Sequence, residues 1–144
     1  MKLLTLRQAL AASLTVLLCA GPVASFAEVA VIVHPSNSNE LNKNYISRIF
    51  LGKKKVFPDG SELIAISQDE SSPVRDEFVE KVVGKSLSQY RAYWAQLVFT
   101  GRGKPPKEVG RDSQVKELVA QNPALIGFID AAAVDDSVKV VGKF

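Results

Sequence analysis

Ser71 and Ser72, followed by Pro73 and then Arg75, are the residues of this chain whose types and spacing point to chemistry. Ser72 suits the cap of a helix and Pro73 its first position, where a missing N–H is harmless. An apolar run at residues 63–66 reads as a strand just upstream, so the helix opens beyond a strand end, where α/β proteins hold small anions. Backbone amides and serine hydroxyls would bind an oxyanion there, and Arg75 would add charge. The same residues also make an ordinary cap followed by a solvated arginine. Asp69 and Glu70 would repel a dianion if they faced the site.

A second cationic feature is the segment TGRGKPP, residues 100–106, with two glycines, two cations and a rigid Pro-Pro stop. Its amides suit an anion nest, and Arg102 suits contact with an anion or a protein partner. A solvated connector whose prolines end a helix is the plainer reading. Tyr90, Tyr93 and Trp94 recur at helical spacing and are assigned to packing. Lys53, Lys54 and Lys55 suit the negative end of a helix dipole, and lipid headgroups or acidic proteins are their other conceivable partners. His34 stands alone beside Ser36 without a G-x-S-x-G elbow, so a hydrolase is not expected.

The elements that must position these residues follow an N-terminal segment of a different kind. Lys2 and Arg7 precede an apolar run and then small residues at Ser25 and Ala27, the pattern of a cleavable secretory signal over residues 1–27. The run is shorter than the ~20 residues of a membrane span and is broken by Gly21 and Pro22. Leu18 ahead of Cys19 argues against a lipid-attachment site. Cleavage would discard the only cysteine, leaving neither a disulfide nor a thiolate metal site, and no cofactor is expected. The expected location is the bacterial periplasm.

Residues 28–144 suffice for one domain. The formal charge of +3 includes Lys2 and Arg7, leaving +1 for the exported part. Its Lys and Arg read as dispersed among acids, which excludes a nucleic-acid partner. EVAVIVHP reads as a buried first strand, and Asn42 caps a helix ending at Gly52. The helix capped by Ser72 runs to Gly84, and Ser86 and Gln89 form a capping box for a third helix. Asp112 or Ser113 caps a fourth, and residues 125–129 and 138–141 close the chain as strands. Four strands alternating with helices imply a single α/β domain with a mainly parallel sheet flanked by helices, in two or three layers.

In this order and spacing Leu41, Ile46, the Ile49-Phe50-Leu51-Gly52 run, Phe57, residues 63–66, Ser71-Ser72 with Arg75 and Phe78, and Leu125-Ile126-Gly127-Phe128 resemble the phosphate-binding members of the type II periplasmic binding proteins. These are the solute receptors of phosphate ABC transporters, and the resemblance spans about residues 29–141. It implies a single periplasmic-binding-protein-like lobe that binds a small oxyanion, phosphate first, through Ser71, Ser72, Arg75 and Arg102. A second protomer or a membrane protein would enclose the anion, since the receptors resembled have two lobes. The family loop resembles R-x-D/E-x-S-G-T, whereas this chain has Gln68 at the Arg and Pro73-Val74 at the Gly-Thr. That departure opens the alternative of a ligand-free interaction or sensory module of the cell envelope.

Overall fold

The computed structural model describes residues 27–144, so the signal-peptide expectation falls almost wholly outside the described residues. Five strands, β1 (Val29–Val33), β2 (Ile64–Ser67), β3 (Lys107–Glu108), β4 (Leu125–Asp130) and β5 (Lys139–Lys143), form one sheet in the order β3-β2-β4-β1-β5. Four helices accompany them: α1 (Lys43–Phe50), α2 (Pro73–Phe78), α3 (Leu87–Phe99) and α4 (Asp112–Gln121). The expected α/β lobe is present. Its sheet is mixed rather than mainly parallel, because β2 runs parallel to β3 and β4 while β1 is antiparallel to both β4 and β5.

Helices cover both faces of the sheet, which explains the unbroken apolar run of β1. Its alternate residues divide between two cores: Val29, Val31 and Val33 join α1, α2 and α3, while Ala30 and Ile32 join Val115 and Val119 of α4. β4 divides likewise, with Ile126 and Phe128 on the first side and Leu125 and Ile129 on the second. Three layers result. Phe50, Phe78 and Phe128 meet at the centre of the first core, with Phe78 stacked on Phe128 at 4.0 Å between centroids and edge-on to Phe50 at 4.6 Å.

The helix ends follow the caps read from sequence. Asn42 accepts from the Tyr45 amide at 2.8 Å, and Ser86 and Gln89 satisfy each other's amides in a full capping box. α2 continues beyond Phe78 as a π-helical turn over Val79–Val83 and stops at Gly84, whose φ of 75° is the left-handed stop expected of glycine. Gly52 is held by close approach as well as by φ: a Cβ there would lie 2.8 Å from the Trp94 ring.

Packing of α3 on the end of α1 joins two cation-rich stretches of the chain, with Lys81 paired to Glu77 and Arg91 3.9 Å from Glu70. Tyr90 and Tyr93 donate to the Phe50 and Leu51 carbonyls at 2.9 and 2.5 Å, bringing two stretches together. Residues 41–58 carry five Lys or Arg and residues 81–107 carry six, and neither stretch contains an Asp or Glu.

Candidate functional site

Strands β2 and β4 lie side by side and point the same way, and the first turns of α2 and α4 both open beyond their C-terminal ends. Gln68, the residue after β2 and only 1% exposed, ties these four elements together. Its Nε2 donates to Asp112 Oδ1 at 2.6 Å and to the Phe128 carbonyl at 3.0 Å, and its Oε1 accepts from the Ser72 hydroxyl at 2.6 Å. Asp112 Oδ1 also accepts from the Asp130 amide at 3.1 Å. The helix cap expected of Asp112 or Ser113 therefore falls to Arg111, and Asp112 opens α4 with its carboxylate turned back toward the sheet. An acid in that first turn is favoured by the helix dipole.

Ser72 is buried at 1% exposure and caps α2, its Oγ accepting from the Arg75 amide at 3.4 Å. Pro73 has no amide hydrogen, and those of Arg75 and Asp76 are already bonded to the Ser72 carbonyl. Most polar groups of this helix start are thus engaged within the protein. Ser71 faces outward on the other side, where its hydroxyl accepts from Arg111 Nη2 at 3.0 Å. Asp69 turns to the same arginine, 4.0 Å from its Nε, and so points away from Arg75.

Arg75 is the buried cation of the site, 8% exposed. Its Nη1 donates to Glu108 Oε1 at 2.9 Å, and Glu70 Oε1 lies 4.0 Å away. The Arg75 Nε and the Trp94 Nε1 are buried without a hydrogen-bond partner. Such orphan donors are rare in folded proteins. Both side chains line one cleft of about 590 Å3, whose other walls include Ser67, Tyr90, Arg91, Pro105 and Pro106. Burial pushes the Tyr90 phenol above its ordinary pKa.

The structure thus gathers Ser72 and Arg75 at one edge of the sheet, leaves Ser71 on the adjoining surface, and sets Arg102 elsewhere. Arg102 is exposed beyond α3, its amide bonded to the Leu97 carbonyl at 2.9 Å, and it does not line the cleft. The same loop contributes Pro105 and Pro106 instead. Glu108, Trp94 and the Gln68 hub were missed in the sequence. Glu108 sits in a two-residue strand of charged residues that carries no periodic signal, and the Trp94 spacing reads as core packing. His34 Nδ1 lies 2.7 Å from the Ser36 hydroxyl and accepts from the Ser36 amide at 3.1 Å, a local turn at the opposite end of the sheet. Among the described residues no group of three or more His, Cys, Asp or Glu is placed to hold a metal ion.

No family model matches the sequence, and no curated protein does. Solved structures do match. An ABC-type phosphate transport receptor from Vibrio cholerae superposes with a TM-score of 0.61 at 22% identity, over 81% of this chain and 46% of that one. A phosphate ABC transporter substrate-binding protein from Clostridium perfringens, solved with bound phosphate, gives 0.58 at 25% identity over 81% and 45%. PstS from Borrelia burgdorferi gives 0.58 at 15% identity over 81% and 48%. The chain spans about half the length of each. Its fold is shared with about half of each of these phosphate receptors.

Proposed function

We propose that this lobe binds a small oxyanion, phosphate first among the candidates, in the Arg75 cleft, and that it serves an ABC-type transport system of the periplasm after export through residues 1–27. The observation that carries the reading is Arg75: a buried guanidinium with an unpartnered Nε, lining an open cleft beside a helix start, on a fold shared with phosphate receptors. An oxyanion accepting from that guanidinium would gain charge-assisted hydrogen bonds. Ser72 would hold the helix start in place and Ser71 would stand at its rim. Arg102 would act only on an anion held by a second surface, from another protomer or a membrane protein. The protein acts by binding, without covalent chemistry.

A specific observation favours the second reading, a ligand-free module that meets an envelope partner. Glu108 already neutralises Arg75, and Gln68 already consumes the Ser72 hydroxyl. Calorimetric titration of residues 28–144 with phosphate and then sulfate at low ionic strength separates the two. Saturable phosphate binding that disappears in Arg75→Ala supports the oxyanion reading. Absence of heat at millimolar phosphate abandons it for the interaction module. Mass spectrometry of the exported protein, with a mature N-terminus at Glu28, tests the export step.

A further inference from the structure

The cleft at Arg75 is larger than an inorganic anion needs. Its volume of about 590 Å3 falls in the range of roughly 300–1,000 Å3 that holds whole organic molecules. Four of its lining side chains are rings, those of Tyr90, Trp94, Pro105 and Pro106. The two aromatic rings are fixed from outside the cleft. Tyr90 donates to the Phe50 carbonyl at 2.9 Å. The benzene edge of Trp94 lies against two glycines: a Cβ at Gly52 would fall 2.8 Å from its Cη2, and one at Gly103 3.4 Å from its Cζ3. The indole therefore cannot withdraw, and its Nε1, on the other edge of the ring system, has no hydrogen-bond partner among the described residues.

The charges of the cleft limit what it can hold. Arg75, Arg91 and Lys107 line it together with Glu70 and Glu108, three cations to two carboxylates, which leaves one net positive charge. Glu108 takes Nη1 of Arg75 and leaves Nε unpartnered among the described residues. A planar carboxylate meets a guanidinium edge through two parallel hydrogen bonds. It would also cancel the remaining charge, whereas a phosphate dianion would leave an excess negative charge beside two carboxylates.

We infer, resting on the reading of Arg75 as an oxyanion seat, that the cleft takes an organic monocarboxylate with a ring or branched apolar body. The carboxylate sits at Arg75 and the body lies against Trp94, Pro105 and Pro106. Few polar groups orient such a ligand while apolar walls remove the rest of it from water.

Calorimetric titration of residues 28–144, which contain both cores, with phosphate, acetate, phenylacetate, phenylphosphate and the neutral phenethyl alcohol tests this. Phenylacetate should bind at least about tenfold more tightly than acetate or phosphate, the effect of burying roughly half of one ring. Phenylphosphate, a dianion at about pH 8, should bind more weakly than phenylacetate there, and phenethyl alcohol should give no saturable heat. Trp94 is the only tryptophan, so its fluorescence should change with phenylacetate and not with phosphate. Arg75→Gln should weaken phenylacetate at least about tenfold. Circular dichroism establishes that this variant is folded, and the ligand series on the parent protein decides the question if it is not. Phosphate binding with phenylacetate no tighter than acetate overturns the inference and leaves the oxyanion reading standing. Absence of binding by both phosphate and phenylacetate removes the two together. Phenylphosphate or phenethyl alcohol binding more tightly than phenylacetate also overturns the inference.

Discussion

Replacing Gln68 with Leu should unfold this protein more readily than any comparable change near the cleft. The side chain is fully buried and uses three hydrogen bonds, to Ser72, to the Phe128 carbonyl and to the Asp112 carboxylate. Two neutral bonds contribute about 1 kcal/mol each and the bond to a carboxylate about 2 kcal/mol. Leucine returns about 1 kcal/mol through apolar burial, for a net loss of about 3 kcal/mol. For a domain of this size that lowers the midpoint of thermal unfolding by about 10–15 °C. Urea denaturation followed by circular dichroism reads the same quantity through the midpoint, with the slope unchanged. Ser72→Ala on its own removes a cap and one of the three bonds, so combining it with Gln68→Leu should give less than the sum, by about 1 kcal/mol. A Gln68→Leu protein within about 1 kcal/mol of the parent, or strict additivity with Ser72→Ala, would refute the idea that one amide joins β2, β4, α2 and α4.

Three other outcomes are expected. Glu108→Gln removes the carboxylate 2.9 Å from Arg75 and should tighten phosphate about tenfold by calorimetry if the cleft is an oxyanion site, while lowering stability by about 1 kcal/mol because the partner is half exposed. Gly127→Ala places a Cβ 2.7 Å from Val115 Cγ1 and should cost 1–3 kcal/mol in urea, roughly the penalty of overpacking. Tyr90 is buried as the neutral phenol, so its folded pKa lies above its unfolded one: the stability it contributes is fully present below pH ~10 and is lost as pH rises through the folded value. Ultraviolet titration should show one of the three tyrosines ionising late, and Tyr90→Phe should abolish that step.

Much of the scaffold was legible because it is written in local terms. Asn42, Ser72 and the Ser86-Gln89 pair cap the helices they were expected to cap, since a capping side chain acts on amides two or three residues away. The apolar runs of β1 and β4 stand out because both sheet faces are covered. Strand direction did not follow. Nothing within VAVIV specifies that its partners are β4 and β5, some hundred residues later, and that they run the other way. β3 was missed because Lys107–Glu108 pairs through backbone alone at the sheet edge. The candidate site shows the same limit. Ser72 and Arg75 were legible as a helix start, whereas their engagement by Gln68 and Glu108 depends on residues 4 and 33 positions away.

The place of β1 carries a consequence for how the molecule comes into being. Lying between β4 and β5, it is completed only by those two strands, and the Val29 and Phe144 backbones close the last pair of hydrogen bonds at 2.9 Å each way. Among the described residues, the strand nearest the N-terminus therefore waits for the one nearest the C-terminus. Pairings this distant in sequence make folding slow, because a long loop has to close before any contact rewards it. Until residues 139–143 are in place, one edge of a wholly apolar strand has no neighbour, so the sheet cannot close on its own first half.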